Sequence, residues 1–335
     1  MKCSVLTGAL GSIGDRFVME GYKPHKAFAR RVKALSGIEG LQGIEVSNYG
    51  EESDGEMVKA VLSDHGLVCA AVDMFIANRR IYRNGSLGNP DPKIRRTALD
   101  ECKRAMDYAE SMGAEVITLW PGQDGHDYAL SCDYRRQYDL FLENLVRAAD
   151  HNRGVNLALE YKSREPRSHS LIENAATALL MAVESGRTNI GVCVDTEHVF
   201  AVGGSIGADI SLCASRGKLL HVHVNDCVGA WFDGMVVGAT HFAEYIELTY
   251  MLRKYDYQGW CSLDLAPCRE DSAAVVRESI GYLEQYEAVV DRIGMEALDH
   301  VIAAGDAMRA LRLLRINAFG MSSDGRTKDS GRSMK

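Results

Sequence analysis

Apolar and polar positions along the chain fall into two alternating patterns. Short apolar runs occupy 2–8, 42–47, 67–75, 114–120, 155–161, 189–195, 219–224 and 260–265. Between them lie longer segments at about 24–38, 54–64, 93–113, 133–151, 172–185, 204–216, 242–256 and 272–290, whose apolar residues recur near a 3.6-residue period. Strands that alternate with amphipathic helices predict a parallel sheet with helices outside it, and eight of each predict a closed (β/α)8 TIM barrel, an α/β fold. A doubly wound sheet usually carries a glycine-rich phosphate turn after its first strand. Here Gly8-Ala9-Leu10-Gly11-Ser12-Ile13-Gly14 has the wrong spacing for that turn.

Past the last strand, 292–314 carries another helical pattern (Met295, Leu298, Val301, Ile302, Met308, Leu311, Leu314) with no strand after it. So many apolar positions must pack on something, either the barrel's own flank or a second subunit, so a homodimer or homotetramer is expected. The predicted organisation is a catalytic barrel over 1–290, a C-terminal helical extension over 291–320 and a polar, disordered tail over 321–335.

Composition narrows the function classes. With 335 residues, 46% hydrophobic and 25% charged, the chain can bury a large core. The net charge of −8 is spread without long runs, which points to neither nucleic acid nor an anionic membrane as partner. Nine cysteines form no CxxC pair, and several lie within strand patterns, as reduced core cysteines do in a cytoplasmic protein. No apolar run approaches the ~18 residues of a membrane span, and glycine interrupts the first run too soon for a signal peptide.

Chemistry concentrates at the carboxyl ends of the later strands. In Gly191-Val192-Cys193-Val194-Asp195-Thr196-Glu197-His198 an apolar strand breaks into an acid and, three residues on, a histidine. Asp195 either caps the following turn or holds a cation, since a charge at the end of a buried strand needs a partner. Glu160, His223 and Asp264 end strands five, seven and eight in the same way, and in a barrel such ends converge at one mouth. Three carboxylates and an imidazole suit Mn²⁺, Mg²⁺ or Co²⁺ in an open oxygen-rich shell better than a closed structural zinc. His221 alternates with His223. One of the two is expected to point into the barrel and the other toward the helices, with His223, nearer the mouth, as the ligand. Lys162 follows Glu160 by two residues and should leave the strand on the same face, His198 lies one turn past Asp195, and Asp233 lies ten residues past His223. The segments 76–91 and 225–241, both after strands, are long enough to shape a pocket.

These motifs resemble the xylose isomerase family over most of the barrel. The family's metal-binding Glu-Pro-Lys reads here as Glu160-Tyr161-Lys162, and its acid-x-x-His as Asp195-Thr196-Glu197-His198. Its Asp-x-x-Pro-x-Arg reads as Asp264-Leu265-Ala266-Pro267-Cys268-Arg269, its Asn-Leu-Phe as Asp73-Met74-Phe75, and its Trp-Gly-Gly-Arg-Glu-Gly as Trp120-Pro121-Gly122-Gln123-Asp124-Gly125. Histidine in place of an acid on strand seven is instead similar to L-rhamnose isomerases and the tagatose/psicose 3-epimerases. The resemblance implies a first metal on Glu160, Asp195, His223 and Asp264, and a second on Asp195, His198 and Asp233. Mn²⁺ is the expected cation. It further implies catalytic roles for Lys162, Glu160, Asp264 and His198, with Lys162 donating to the sugar's carbonyl oxygen, and a substrate surface that includes Trp120, Phe75 and Arg269. Two departures stand out: Ser47-Asn48-Tyr49-Gly50 replaces the ring-opening His and Asp, and Met235 replaces a further Asp ligand. Both point away from D-xylose as the best substrate.

The expected activity is a divalent-metal aldose–ketose isomerisation of a free, unphosphorylated sugar by hydride shift. The alternatives are a ketose 3-epimerase working through two carboxylates, a metal-dependent lyase on the same barrel, and a non-catalytic sugar-binding barrel.

Overall fold

The computed structural model describes the chain except for Arg16, Phe75, Ala77, Asn78, Pro166, 230–233 and 320–335. Eight strands, Lys2–Leu6 (β1), Leu41–Ser47 (β2), Val68–Asp73 (β3), Val116–Leu119 (β4), Asn156–Glu160 (β5), Ile190–Asp195 (β6), Leu219–Val224 (β7) and Trp260–Leu263 (β8), close into a barrel. Each pairs in parallel with its sequence neighbours, and β1 meets β8. All eight predicted strands are present. The first stops at Leu6 because Thr7–Leu10 tighten into a 3-10 turn.

Helices follow the strands and seal the outer core. Their starts are set by short polar side chains: Asp91, Asp133, Asn174, Ser205 and Asp271 each accept from a backbone N–H in the first turn. The apolar layer between strands and helices includes Ile44, Ile117, Leu159, Val192, Val222 and Leu263 with Phe28, Leu99, Phe141, Met181, Ile210 and Tyr245, all buried. The barrel's inside is different. Among the described residues, Ala71, Val116, Ala158 and Cys193 form a small apolar cluster of their own. Ser4, Glu45, Thr118, His221, His223 and Ser262 are buried as well, none more than 1% exposed. A barrel of this kind is usually filled with branched apolar layers, so a polar filling is a cost that function must explain.

The extension is a pair of helices rather than one. Ser272–Ile293 ends at Gly294, and Met295–Ala304 ends at Gly305, whose φ of 62° is left-handed; Ala307–Ala318 then follows. The apolar period carries across both glycines, which is why periodicity alone reads as a single helix over 292–314. Val301 is buried, and Met295, Leu298 and Leu314 pack against the main core. The barrel's own flank therefore takes this face, while Ile302, Met308 and Leu311 are exposed. Among the described residues no helix is long and apolar enough to cross a membrane.

Candidate metal centre at the barrel mouth

Parallel register sets Asp195 beside His223 and His223 beside Ser262, while Glu160 pairs with Cys193. One residue past β8, the backbone N–H of Asp264 donates to the Val224 carbonyl at 3.2 Å. The four expected residues thus arrive together: one ligand atom from each of Glu160, Asp195, His223 and Asp264 lies within 4.8 Å of the others. His223 Nδ1 sits 3.4 Å from Glu160 Oε2, 3.8 Å from Asp195 Oδ2 and 4.0 Å from Asp264 Oδ2. Glu160, Asp195 and His223 are buried, whereas the Asp264 side chain is 19% exposed and marks the open side.

Charge is crowded here. Burial pushes the Asp264 carboxyl well above the usual carboxylate range, and the charges of Asp195, Glu160 and Glu45 add to that against the pull of His223. Burial works the same way on Glu160, but His223 and His198 outweigh it and hold this carboxyl below its ordinary value. Burial disfavours a charged His223, yet its neighbours raise the imidazole well above its usual range. The Cys193 thiol, pushed up to about 12 by burial, stays neutral, so Glu45 and Glu160 are the charges that matter to it.

The expectation that His221 and His223 face opposite ways is incorrect. Residues two apart on a strand share a face, and both rings point into the barrel, 5.2 Å apart, onto the same Glu45 carboxylate. His221 Nε2 lies 2.9 Å from Glu45 Oε2 and 2.9 Å from Ser262 Oγ. It packs beneath the cluster, one layer below His223.

Asp195 caps the following turn and also turns a carboxylate oxygen toward the cluster. Oδ1 accepts from the His198 backbone N–H at 3.1 Å and starts the turn Thr196–Phe200, while Oδ2 faces His223 and accepts from Asn225 Nδ2 at 3.2 Å. His198 sits at the same mouth, with Nδ1–H donating to the Tyr161 carbonyl at 2.9 Å and Glu160 Oε1 3.3 Å away. Lys162 is not a surface lysine. Its side chain is 13% exposed, its Nζ pairs with Glu165 at 2.7 Å, and it lies 5.2 Å over the Trp120 ring. Arg269 stands apart, its guanidinium 4.9 Å over the Tyr22 ring beside a cleft of about 270 Å³ that also takes in Lys23 and Lys26. Asp233 and Phe75 lie outside the described residues.

With this geometry in view, residues 11–286 match the family described as the xylose isomerase-like TIM barrel. The chain belongs to that family. It is 26% identical to a xylose isomerase from Thermus thermophilus over 241 residues, 70% of this chain and 62% of the relative, so it spans somewhat less than two thirds of that protein. Among solved structures it is similar to a 3-keto-D-glucoside 4-epimerase from E. coli (TM-score 0.62, 18% identity, 85% of this chain and 99% of the other). An L-ribulose 3-epimerase is also similar (TM-score 0.65, 16% identity, 87% and 95%). At such identities these structures speak for the fold alone.

Within this family barrel, several polar residues that the motifs do not single out complete the mouth. Glu45, in the middle of β2, accepts from Thr118 Oγ1 at 2.7 Å and meets both histidines. Glu197 is fully buried, and its Oε2 accepts from the Gly234 backbone N–H at 2.9 Å. Burial, then the Asp195 charge, push its carboxyl up to about 9. Asp73 at the end of β3 is pushed up to about 7 by burial and by the charges of Glu45 and Glu160. A second group, Asp226 with Cys227 and His241, also brings possible ligand atoms together. Asp226, however, already accepts from the backbone N–H groups of Cys227, Thr240 and His241 and from Thr240 Oγ1, so it fastens its loop.

Asp124 fastens another loop. Its buried carboxylate accepts from the Ser86 hydroxyl, the Ser86 backbone N–H at 2.7 Å and the Gly88 N–H at 3.0 Å. A Cβ on Gly85 or Gly88 would come within 2.7 or 2.8 Å of Asp124 Oδ1, which is why glycine stands there. Asp124→Ala strands those buried donors and should cost about 2–4 kcal/mol, read as a lower denaturant midpoint at unchanged slope.

The donor set fits a hard or borderline divalent cation. Three carboxylates converge on His223 Nδ1, a buried nitrogen with no hydrogen-bond partner, and a dication is what would offset their mutual repulsion. The sign of the resulting pH dependence follows. Glu197 and Asp73 titrate near 9 and 7 in the fold against ordinary values of 4.5 and 3.8, so the folded state holds more protons and the metal-free protein loses stability as pH rises through that window. His223, raised by its neighbours, acts in the same direction. Glu45 and Glu160, held low, contribute stability that is lost only as pH falls below the ordinary carboxylate range. Melting of the chelated protein at pH 5.5 and 8.5 should therefore show the lower midpoint at 8.5, and saturating Mn²⁺ should raise the midpoint more at 8.5 than at 5.5. A gain that is equal at the two pH values would contradict the charge crowding.

Proposed function

We propose that this protein is a divalent-metal aldose–ketose isomerase acting on a free, unphosphorylated sugar, with Mn²⁺ as the best-suited cation and Mg²⁺ or Co²⁺ as substitutes. The observations that carry this reading are the cluster of Glu160, Asp195, His223 and Asp264 and, two residues past Glu160, a Lys162 laid over Trp120. Isomerisation moves a hydride between two adjacent carbons and a proton between their oxygens, so the barrier is charge on those oxygens. A cation held by Glu160, Asp195, His223 and Asp264 would supply Lewis acidity to them. Lys162 donates to the carbonyl oxygen as negative charge grows there. Trp120, and by the family resemblance Phe75, would wall the path of the hydride from water. By the family resemblance Asp195, His198 and Asp233 would hold a second cation, and Asn225 Nδ2 donates to Asp195 Oδ2 at 3.2 Å and steadies that carboxylate. The protein is proposed to act as a homo-oligomer.

A ketose 3-epimerase is the second reading. What favours it is that Glu160 and Asp264 both reach the same mouth, so two carboxylates are at hand for proton exchange at a carbon held there. Incubation of C4 to C6 aldoses and ketoses with the Mn²⁺ enzyme in deuterated water separates the two. Hydride shift leaves the product almost free of carbon-bound deuterium. Full incorporation at one carbon would overturn the hydride shift, and a product epimeric at C3 in place of the isomeric aldose or ketose would overturn the isomerase reading.

A further inference from the structure

The barrel's polar interior is connected, and the connection ends at the proposed cation site. Glu45 is fully buried on β2, where an uncompensated carboxylate would be strongly destabilising. It is compensated entirely by side chains of other strands: Thr118 of β4 at 2.7 Å and His223 Nε2 at 3.3 Å on Oε1, and His221 Nε2 at 2.9 Å on Oε2. Behind His221 the chain continues through Ser262 Oγ at 2.9 Å to Ser4 Oγ at 2.5 Å. Thr118 Oγ1 and the two ring nitrogens all meet the two carboxylate oxygens of Glu45, the arrangement of an acceptor that faces three donors.

An acceptor fixes what faces it. Both Nε2 atoms must carry hydrogen, and with a cation bound the lone pair of His223 must then lie on Nδ1, the nitrogen turned toward Glu160, Asp195 and Asp264. We propose that Glu45 is a positioning residue: it selects the metal-ready tautomer of His223, orients the ring, and with His221 and Ser262 forms a buried brace for that ligand. A carboxylate behind a ligating imidazole also raises its basicity, so cation and Glu45 strengthen each other's hold on the ring. His221 thus has a role after all, as the second donor that holds the Glu45 carboxylate in place. The inference rests on the metal-site reading of Glu160, Asp195, His223 and Asp264.

Glu45→Gln keeps the volume and removes the charge. In full-length protein, Mn²⁺ titrated against a metallochromic competitor should bind about 10–100-fold more weakly to Glu45→Gln than to wild type. Stoichiometry at saturation should stay unchanged, and Glu45→Asp should fall between the two. Equal affinity of the folded Glu45→Gln variant and wild type overturns the inference and leaves the metal site standing; a wild type that binds no Mn²⁺ overturns both. A spectroscopic measurement needs no variant at Glu45. Long-range ¹⁵N NMR of the Mg²⁺-saturated wild type, with His223 assigned by its absence from His223→Gln, should show hydrogen on Nε2 and none on Nδ1. Hydrogen on Nδ1 would refute the assignment whatever the affinities.

Discussion

Asp264→Asn should yield a folded protein that binds divalent cation poorly and turns over no sugar. The change removes one anionic ligand from a site where three carboxylates meet one imidazole. Loss of one member of a buried charge set typically costs about 3–5 kcal/mol, or roughly 10²–10⁴-fold in cation affinity. The same substitution has an opposite effect on the empty site. Burial and three neighbouring acids hold Asp264 well above its ordinary range, so the neutral amide removes repulsion rather than support. The chelated variant should melt at or above the chelated wild type at pH 8, yet gain almost nothing from Mn²⁺. Glu160→Gln should lose cation and activity alike. It should not gain stability without metal, because His223 and His198 already hold Glu160 in its charged form. Either variant retaining full metal occupancy and turnover would remove the metal assignment.

Lys162→Met should preserve cation binding while lowering isomerisation by ~10²-fold or more, since it removes a donor from the oxygen where charge develops. Methionine keeps an apolar stem over Trp120, so packing changes little. Asp233→Asn should behave likewise, keeping the first cation and losing turnover. Under the epimerase reading the pattern reverses: both variants stay near wild-type rates, and only Glu160 and Asp264 are indispensable. Turnover measured beside metal content for the two variants therefore separates the mechanisms independently of isotope exchange.

The strands and the four clustered residues were legible because each rests on a local signal that the barrel then repeats. An apolar run ending in a charge is conspicuous, and Glu160, Asp195, His223 and Asp264 each end one. The same signal was available for Glu45, an acid inside Ile44-Glu45-Val46, but in mid-strand it has no local partner to suggest its purpose. Its partners Thr118, His221 and His223 are 73, 176 and 178 residues away, and only barrel closure joins them. Glu197 was hidden for a different reason. It lies between Asp195 and His198, in a turn whose direction alone decides whether it is buried or exposed. The misjudged His221 shows the limit of proximity to the mouth as a criterion, since strand parity places it on the same face as His223. The helix break at Gly305 escaped because the apolar stripe runs through it uninterrupted, while the one at Gly294 lies a few residues past the expected helix end at 290.

The most direct test is removal and return of the metal. Protein stripped with chelator and verified metal-free should have no aldose–ketose activity on the best substrate of the panel, and Mn²⁺ added back should restore it in step with occupancy of the site. Undiminished turnover by the verified metal-free protein would contradict the account.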